Sequence, residues 1–306
     1  FTIEIGGRSV NRQLTFIDRY PPTAPGKPVP DNVLNNNGAF NLLWTASTDP
    51  GNSGISAYSV EYSMDSGAYT FLATSTVSNY LTVDLPQGKF TFRVRAVDGA
   101  GNIGAYSLVS NVVEVDRTAP LGTIVINSGG TRTANPAVTL TLSASDAKGV
   151  ADMSFSNDSI NWSGWVPYAT SVNWTLSDGD GSKVVYVRYR DAVGNIGIFS
   201  DDIVYDTTGP LGGVTIDPAP LSATTTLTLN LYASDGSGVP SMSLSFNGAA
   251  FSAWQAYTPT YVWSVGTAFA THTVQVKYRD SLLNESAVFS ATTCVDTTAP
   301  TTPVVT

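Results

Sequence analysis

Six aspartates fall into two sets of matching order: Asp116, Asp146 and Asp191, then Asp206, Asp235 and Asp280, with Asn195 and Asn284 in corresponding places. Carboxylates and amides are hard oxygen donors, and calcium takes six to eight such oxygens, so each set, gathered by folding, would suit Ca2+. No Asp-x-Asp-x-Asp-Gly loop accompanies them. Aspartate at a turn also accepts hydrogen bonds from its own backbone, so a turn cap is the competing reading. Other chemistry is sparse. The one histidine, His272, lies in Thr271-His272-Thr273-Val274 beside no cysteine and no Gly-flanked serine, and it reads as a surface residue. The one cysteine, Cys294, cannot form an internal disulfide and reads as a small buried hydrophobe near a strand end. No phosphate loop, dinucleotide fingerprint or zinc spacing occurs. The expectation is no catalytic residue, no enzymatic activity and no cofactor other than calcium.

The elements that must position these aspartates repeat. Asp116-Arg117-Thr118-Ala119-Pro120, Asp206-Thr207-Thr208-Gly209-Pro210 and Asp296-Thr297-Thr298-Ala299-Pro300 are evenly spaced, since 206 − 116 = 90 and 296 − 206 = 90. Behind each linker Asp146/Asp235, Trp165/Trp254, Trp174/Trp263, Tyr189/Tyr278 and Asp191/Asp280 recur, as expected of diverged copies of one domain. Within the copies, Leu140-Thr141-Leu142-Ser143-Ala144 and Val185-Tyr186-Val187-Arg188-Tyr189-Arg190 alternate apolar with polar, the period of half-buried strands. Turn sequences such as Asp146-Ala147-Lys148-Gly149 and Phe246-Asn247-Gly248 separate them. Short strands with regular turns predict antiparallel sandwiches.

At 306 residues the chain has room for three such domains. The expected boundaries are a strand segment over 1–20, sandwiches over 21–115, 116–205 and 206–296, and the start of a further unit over 297–306. Charged residues make up only 13% of the chain and the net charge is −9, with no basic stripe, which excludes nucleic acid as a partner. No apolar run approaches the roughly 20 residues of a membrane helix.

The domain over 21–115 resembles a fibronectin type III domain through its Trp44 strand, its Tyr58/Tyr62 strand, Leu85-Pro86, and Arg93-Val94-Arg95-Ala96 leading into Asp98-Gly99-Ala100-Gly101-Asn102. It departs from that family in having Phe90 and Phe92 where a corner tyrosine is usual, so the corner hydrogen bond is expected to be missing. The later copies resemble the bacterial immunoglobulin-like repeats of secreted and surface proteins, through Phe155-Ser156-Asn157-Asp158, Trp165-Val166-Pro167-Tyr168 and Tyr189-Arg190-Asp191-Ala192-Val193-Gly194-Asn195. The fold class is thus all-β: a tandem array of three immunoglobulin-like/fibronectin type III-like antiparallel β-sandwiches with a short N-terminal β segment. The resemblance implies an extracellular or cell-surface place, and a role as stalk, spacer or repeating filament subunit. Sugar-binding adhesin and phage tail or fibre component stand as alternatives.

The repeated Trp165/Tyr168/Trp174 and Trp254/Tyr257/Trp263 read as core, leaving Trp162, matched by Phe251, as the ring open to a glycan. At the N-terminus, Phe1-Thr2-Ile3-Glu4-Ile5 and Leu14-Thr15-Phe16-Ile17 alternate around Gly6-Gly7 and predict a strand pair too small to fold alone. Donated to a neighbour's sheet edge, it would join copies head to tail or attach other subunits of a surface assembly. The start at Phe1 and the end at Thr306 suggest further domains beyond both.

Overall fold

Strand β1 (Thr2–Ile5) pairs antiparallel with β2 (Arg8–Asn11), Ile5 opposite Arg8. The second strand therefore begins at Arg8, not at Leu14 as the alternation suggested. The computed structural model describes residues 2–5, 8–11, 17–76, 79–266 and 269–298. Leu14 to Phe16 lie outside the described residues, as does most of the expected unit start over 297–306, and Ile17 is exposed.

The first sandwich comprises β3 (Val29–Pro30), β4 (Leu34–Asn35), β5 (Ala39–Leu43), β6 (Ile55–Met64), β7 (Thr70–Ser75), β8 (Tyr80–Asp84), β9 (Gly88–Asp98) and β10 (Val113–Val115). The second comprises β11 (Leu121–Ile126), β12 (Arg132–Thr133), β13 (Ala137–Ser145), β14 (Val150–Ser156), β15 (Val166–Pro167), β16 (Ser171–Thr175), β17 (Gly181–Asp191) and β18 (Ile196–Tyr205). The third comprises β19 (Leu211–Asp217), β20 (Leu221–Ser222), β21 (Thr226–Ser234), β22 (Ser241–Phe246), β23 (Gln255–Ala256), β24 (Thr260–Ser264), β25 (Ala270–Arg279) and β26 (Phe289–Val295). Each pairs a three-stranded sheet with a five-stranded one, and the order is the same three times: β3-β5-β8 with β4-β10-β9-β6-β7, β11-β13-β16 with β12-β18-β17-β14-β15, and β19-β21-β24 with β20-β26-β25-β22-β23. By contacts the chain groups into two compact units, one of Phe1–Leu121, Ser145–Ala151 and Tyr189–Gly197, the other of Gly122–Ala144, Asp152–Arg188 and Ile198–Thr306.

Strand alternation sets the cores. In β9, Phe90, Phe92, Val94 and Ala96 are buried while Arg93 and Arg95 between them face outward. Trp44 meets Tyr58 edge-on at 5.4 Å and Phe40 meets Phe92 at 5.7 Å, beside fully buried Leu42 and Val60. In the third sandwich Leu227, Leu229, Val274, Val276 and Tyr278 are fully buried and Phe246 packs on Trp263 at 4.7 Å. Each such side chain contributes about 1.5–3 kcal/mol of burial, the driving force in domains without a disulfide. Phe90 and Phe92 carry no hydroxyl, whereas Tyr278 on β25 donates from Oη to the Gly213 carbonyl at 2.6 Å.

Two single residues differ from expectation. His272 is half-buried, not a surface residue: its ring stands edge-on to Trp263 at 5.7 Å and Nδ1 lies 3.1 Å from the Asn247 amide. Cys294 is half-buried, because on β26 it falls between the inward residues Thr293 and Val295.

Candidate metal centre

The inward parity of the long strands carries one step past the core. Ala96, Tyr189 and Tyr278 are buried, and two residues on, at the sheet's end, stand Asp98, Asp191 and Asp280, 1%, 2% and 0% exposed. A carboxylate placed there must find donors, and the adjoining loop supplies them. Asp191 Oδ1 accepts the backbone N–H of Val193, Gly194 and Asn195 at 2.8, 2.6 and 2.9 Å, and Oδ2 accepts the Asn195 amide at 2.8 Å. Asp280 Oδ1 accepts Leu282 and Asn284 N–H, and Asp98 Oδ1 accepts Ala100 and Asn102 N–H. In every copy the Asn amide also donates to the carbonyl of the aspartate that opens the sandwich: Asn102 to Asp18 at 3.2 Å, Asn195 to Asp116 at 2.9 Å, Asn284 to Asp206 at 3.0 Å. For Asp98, burial opposes ionisation, yet the Asn102 amide and the backbone N–H groups of Asn102, Ala100 and Gly101 outweigh it and hold the carboxyl below its ordinary range. Its stabilisation is therefore present above the ordinary carboxylate range and is lost as pH falls through the depressed value.

A third member of each set comes from a turn: Asp49, Asp146 and Asp235. Each opens a turn through its own carboxylate, Asp49 Oδ1 accepting Gly51 N–H, Asp146 Oδ1 accepting Lys148 N–H and Asp235 Oδ1 accepting Ser237 N–H. The turn-cap reading thus holds for these aspartates, and folding also gathers them. Asp116, Asp146 and Asp191 offer carboxylate oxygens that all lie within 4.8 Å of one another, and so do Asp206, Asp235 and Asp280. The first of these sets lies wholly in the first compact unit and the second wholly in the other. Two unit charges about 4.5 Å apart at an effective dielectric near 20 repel by roughly 4 kcal/mol, so each cluster favours a counter-cation or a bound proton donor.

A further set escaped the sequence reading: Asp18, Asp49 and Asp98 form the same cluster in the first sandwich. A signal was present, since Asp18-Arg19-Tyr20-Pro21-Pro22 parallels the later linkers and Asp98 to Asn102 has the spacing of Asp191 to Asn195. The even repeat hid it, because 116 − 18 = 98, not 90. The Asp18 carboxylate rests against the Gly51 backbone, where a Cβ would stand 1.8 Å from Asp18 Oδ1.

No protein-family model matches the chain. Endoglucanase B of Cellulomonas fimi is 39% identical over 92 residues, 30% of this chain and 8% of that protein, a match about one repeat long. Chitinase A1 of Niallia circulans is 32% identical over 202 residues, 62% of this chain and 26% of that protein. The chain therefore spans only a small part of either relative. Among solved structures, the FN1–FN3 domains of chicken CNTN1 align with 90% of this chain and 99% of their own at 14% identity and a TM-score of 0.31. The sandwiches are fibronectin type III-like.

On these fibronectin type III-like sandwiches the outward residues of the long strand carry cations over rings. Arg93 lies over Tyr69 at 4.1 Å and Tyr106 at 3.9 Å, Arg188 over Trp162 at 4.5 Å and Trp165 at 4.4 Å, and Arg279 over Trp254 at 3.9 Å. Trp165 and Trp254 are thus half-buried on an outer face and not in the core, whereas Trp263 is buried as expected. Period 2 alone cannot tell the two faces apart when a ring and a cation cover each other. Trp162, read as the open ring, is covered by the Arg188 guanidinium.

Proposed function

We propose that the chain is a non-catalytic spacer array of an extracellular protein, in which one sandwich plan used three times sets distance. The observation that carries this reading is the identical strand order in all three sandwiches. The matched relatives support it: their names are those of an endoglucanase and a chitinase, enzymes of polymers met outside the cell, and the shared stretch is 8% and 26% of their lengths. Pulled from its ends, the full chain is expected to unfold in three similar steps, each releasing about 90 residues, or roughly 300 Å of extended chain. One cooperative step, or hydrolysis of cellulose or chitin by the purified chain, would sink the reading. With Trp162 under Arg188, we expect no retention on a glycan array.

One observation favours a second reading, a repeating subunit joined through terminal strands. Among the described residues, β1 and β2 form a sheet of their own. Deleting residues 1–17 should then abolish any head-to-tail polymers seen by electron microscopy and leave the sandwiches folded. A chain monomeric before and after deletion removes it.

A further inference from the structure

The clusters are not equivalent in what their carboxylates still lack. Asp116 is 4% exposed; its Oδ1 accepts Thr118 N–H at 3.1 Å, but its Oδ2 is buried with no hydrogen-bond partner. A buried acceptor of unit charge without a donor is strongly disfavoured unless a group from outside the chain completes it. Its neighbours are two more carboxylates, Asp146 and Asp191, which sharpen the deficit. Neither nearby basic group relieves it: Arg117, next in sequence, donates to the Asn37 carbonyl and to Asp84 Oδ1, and Lys148 pairs with Glu114 at 2.6 Å. Asp116, Glu114, Lys148, Lys89, Gln87 and Asp65 also line an open cleft of about 460 Å³. In the corresponding cluster Asp206 has no such unmet acceptor: Ser237 Oγ donates to its Oδ2.

From this we infer that Asp116, Asp146 and Asp191 bind a calcium ion, with Asp116 Oδ2 as a direct ligand. The donors are all hard oxygens, which excludes the nitrogen and sulfur preference of zinc. Their 4.8 Å limit of separation is the widest that two oxygens about one calcium can have at about 2.4 Å each. Water reaching the cleft completes the six to eight positions. Bound there, the ion ties segments 145–151 and 189–197 to the segment ending at Asp116, all within one compact unit. With three protein carboxylates and a partly hydrated shell, the affinity expected is that of extracellular modules, a Kd of about 10⁻⁴–10⁻³ M. Asp18 Oδ2, in the first cluster, is likewise buried and unpartnered, although Asp18 itself is half-buried, so a second equivalent there would obey the same logic.

The proposal does not depend on the spacer reading. The test titrates CaCl2 into the chelator-stripped full chain by calorimetry and tracks melting in parallel. Saturable heat and a melting temperature that rises by several degrees between chelator and 10 mM calcium are expected. Asp146→Asn keeps an acceptor for Lys148 N–H while removing the charge, and it should lose one equivalent of bound calcium; Asp235→Asn should lose none. Asp116→Asn should also lose one equivalent and melt no lower, or higher, than the parent in chelator, because it removes a repulsive charge; a purely structural carboxylate would melt lower. Absence of heat and of a melting shift at 10 mM calcium overturns the site. So does an unchanged stoichiometry in both Asp146→Asn and Asp116→Asn. If one variant does not fold, the other decides.

Discussion

Asp116-Asp146-Asp191 and Asp206-Asp235-Asp280 are built on the same frame, and the difference that reaches the first aspartate lies two residues past the turn aspartate. There the earlier cluster has Lys148 and the later one Ser237. Ser237 turns its hydroxyl onto Asp206 Oδ2, while Lys148 reaches Glu114 and leaves Asp116 Oδ2 with no donor. The partner that draws Lys148 away is also local: Glu114 precedes Asp116 by two residues, and the corresponding residue before Asp206 is Val204. Frame and unmet acceptor are therefore separable. The loop aspartates close turns in every copy, and a single side chain decides whether the cluster is satisfied within the protein or asks for an ion.

Breaking the frame should have the largest effect, and nearly the same one in both copies. Asp191→Ala strands three backbone N–H groups and the Asn195 amide, and Asp280→Ala strands two and the Asn284 amide. Losing a buried charged acceptor of this kind costs about 3–5 kcal/mol for Asp191, and less for Asp280 by about one hydrogen bond. Scanning calorimetry of the full chain should show one transition falling by on the order of 10–40 °C in each variant. A fall of under about 3 °C in both, less than 1 kcal/mol in a domain of this size, would show that these loops do not depend on their aspartates.

The next effect tests the unmet acceptor by moving it. Ser237→Ala removes the donor to Asp206 Oδ2, and the later cluster should gain calcium binding, one added equivalent in a titration. Lys148→Ser installs the hydroxyl in the earlier cluster and should weaken calcium there about tenfold, or roughly 1.4 kcal/mol. Stoichiometry unchanged in Ser237→Ala would mean that more than this side chain separates the two clusters.

The same residues show how much of this was open to sequence reading. Alternation such as Phe90-Thr91-Phe92-Arg93-Val94 dictates strands because a sheet has two faces, and evenly spaced linkers reveal the copies. The aspartate sets of the later copies could be read because Asp191 and Asp280 end their long strands at matching positions. The set at Asp18 could not be read by spacing, since the first sandwich is longer. Nor could the sequence show that Lys148 pairs with Glu114 while Ser237 bonds Asp206; that choice depends on side-chain reach in three dimensions. Trp165 and Trp254 were misplaced for a related reason, because their outer-face position depends on Arg188 and Arg279 across the sheet surface.

A smaller contrast lies in the loop after the long strand. The residue three past the buried aspartate has a positive φ in all copies, 90° at Gly101, 105° at Gly194 and 73° at Leu283. Glycine takes that conformation freely, whereas a side chain there costs about 1–2 kcal/mol, and Leu283 is 68% exposed, so it returns little burial. Leu283→Gly should stabilise the chain by about 0.5–1 kcal/mol after the added freedom of the unfolded chain is subtracted. Equilibrium denaturation measures this; a loss of stability would mean that the Leu283 side chain makes contacts in solution that outweigh its backbone.

The smallest effect expected is that of the Lys148–Glu114 pair itself, and it distinguishes two accounts of the earlier cluster. If Lys148 is the counter-cation of the aspartates, removing it should destabilise the chain well beyond an ordinary surface pair and should raise calcium affinity steeply. If Lys148 serves Glu114, as their 2.6 Å separation indicates, the loss is that of a pair whose side chains are 24% and 27% exposed, under about 1 kcal/mol. The Glu114 carboxyl is held below its ordinary range first by the Lys148 hydrogen bond, against the opposing effect of burial. That stabilisation is present above the ordinary carboxylate range and fades as pH falls through the depressed value, so the difference between parent and Lys148→Met should shrink towards zero in acid. Lys148→Met keeps the length and the apolar stem of the side chain, so packing is little disturbed. Parallel denaturation curves at about pH 7 and pH 3, either side of the ordinary carboxylate range, with a calcium titration at the higher pH, decide it. A deficit under about 1 kcal/mol that shrinks in acid, with calcium stoichiometry unchanged, assigns Lys148 to Glu114. A deficit above about 2 kcal/mol in chelator that calcium restores would make the lysine the cluster's own neutralising charge and reduce the contrast with Ser237 to one of strength.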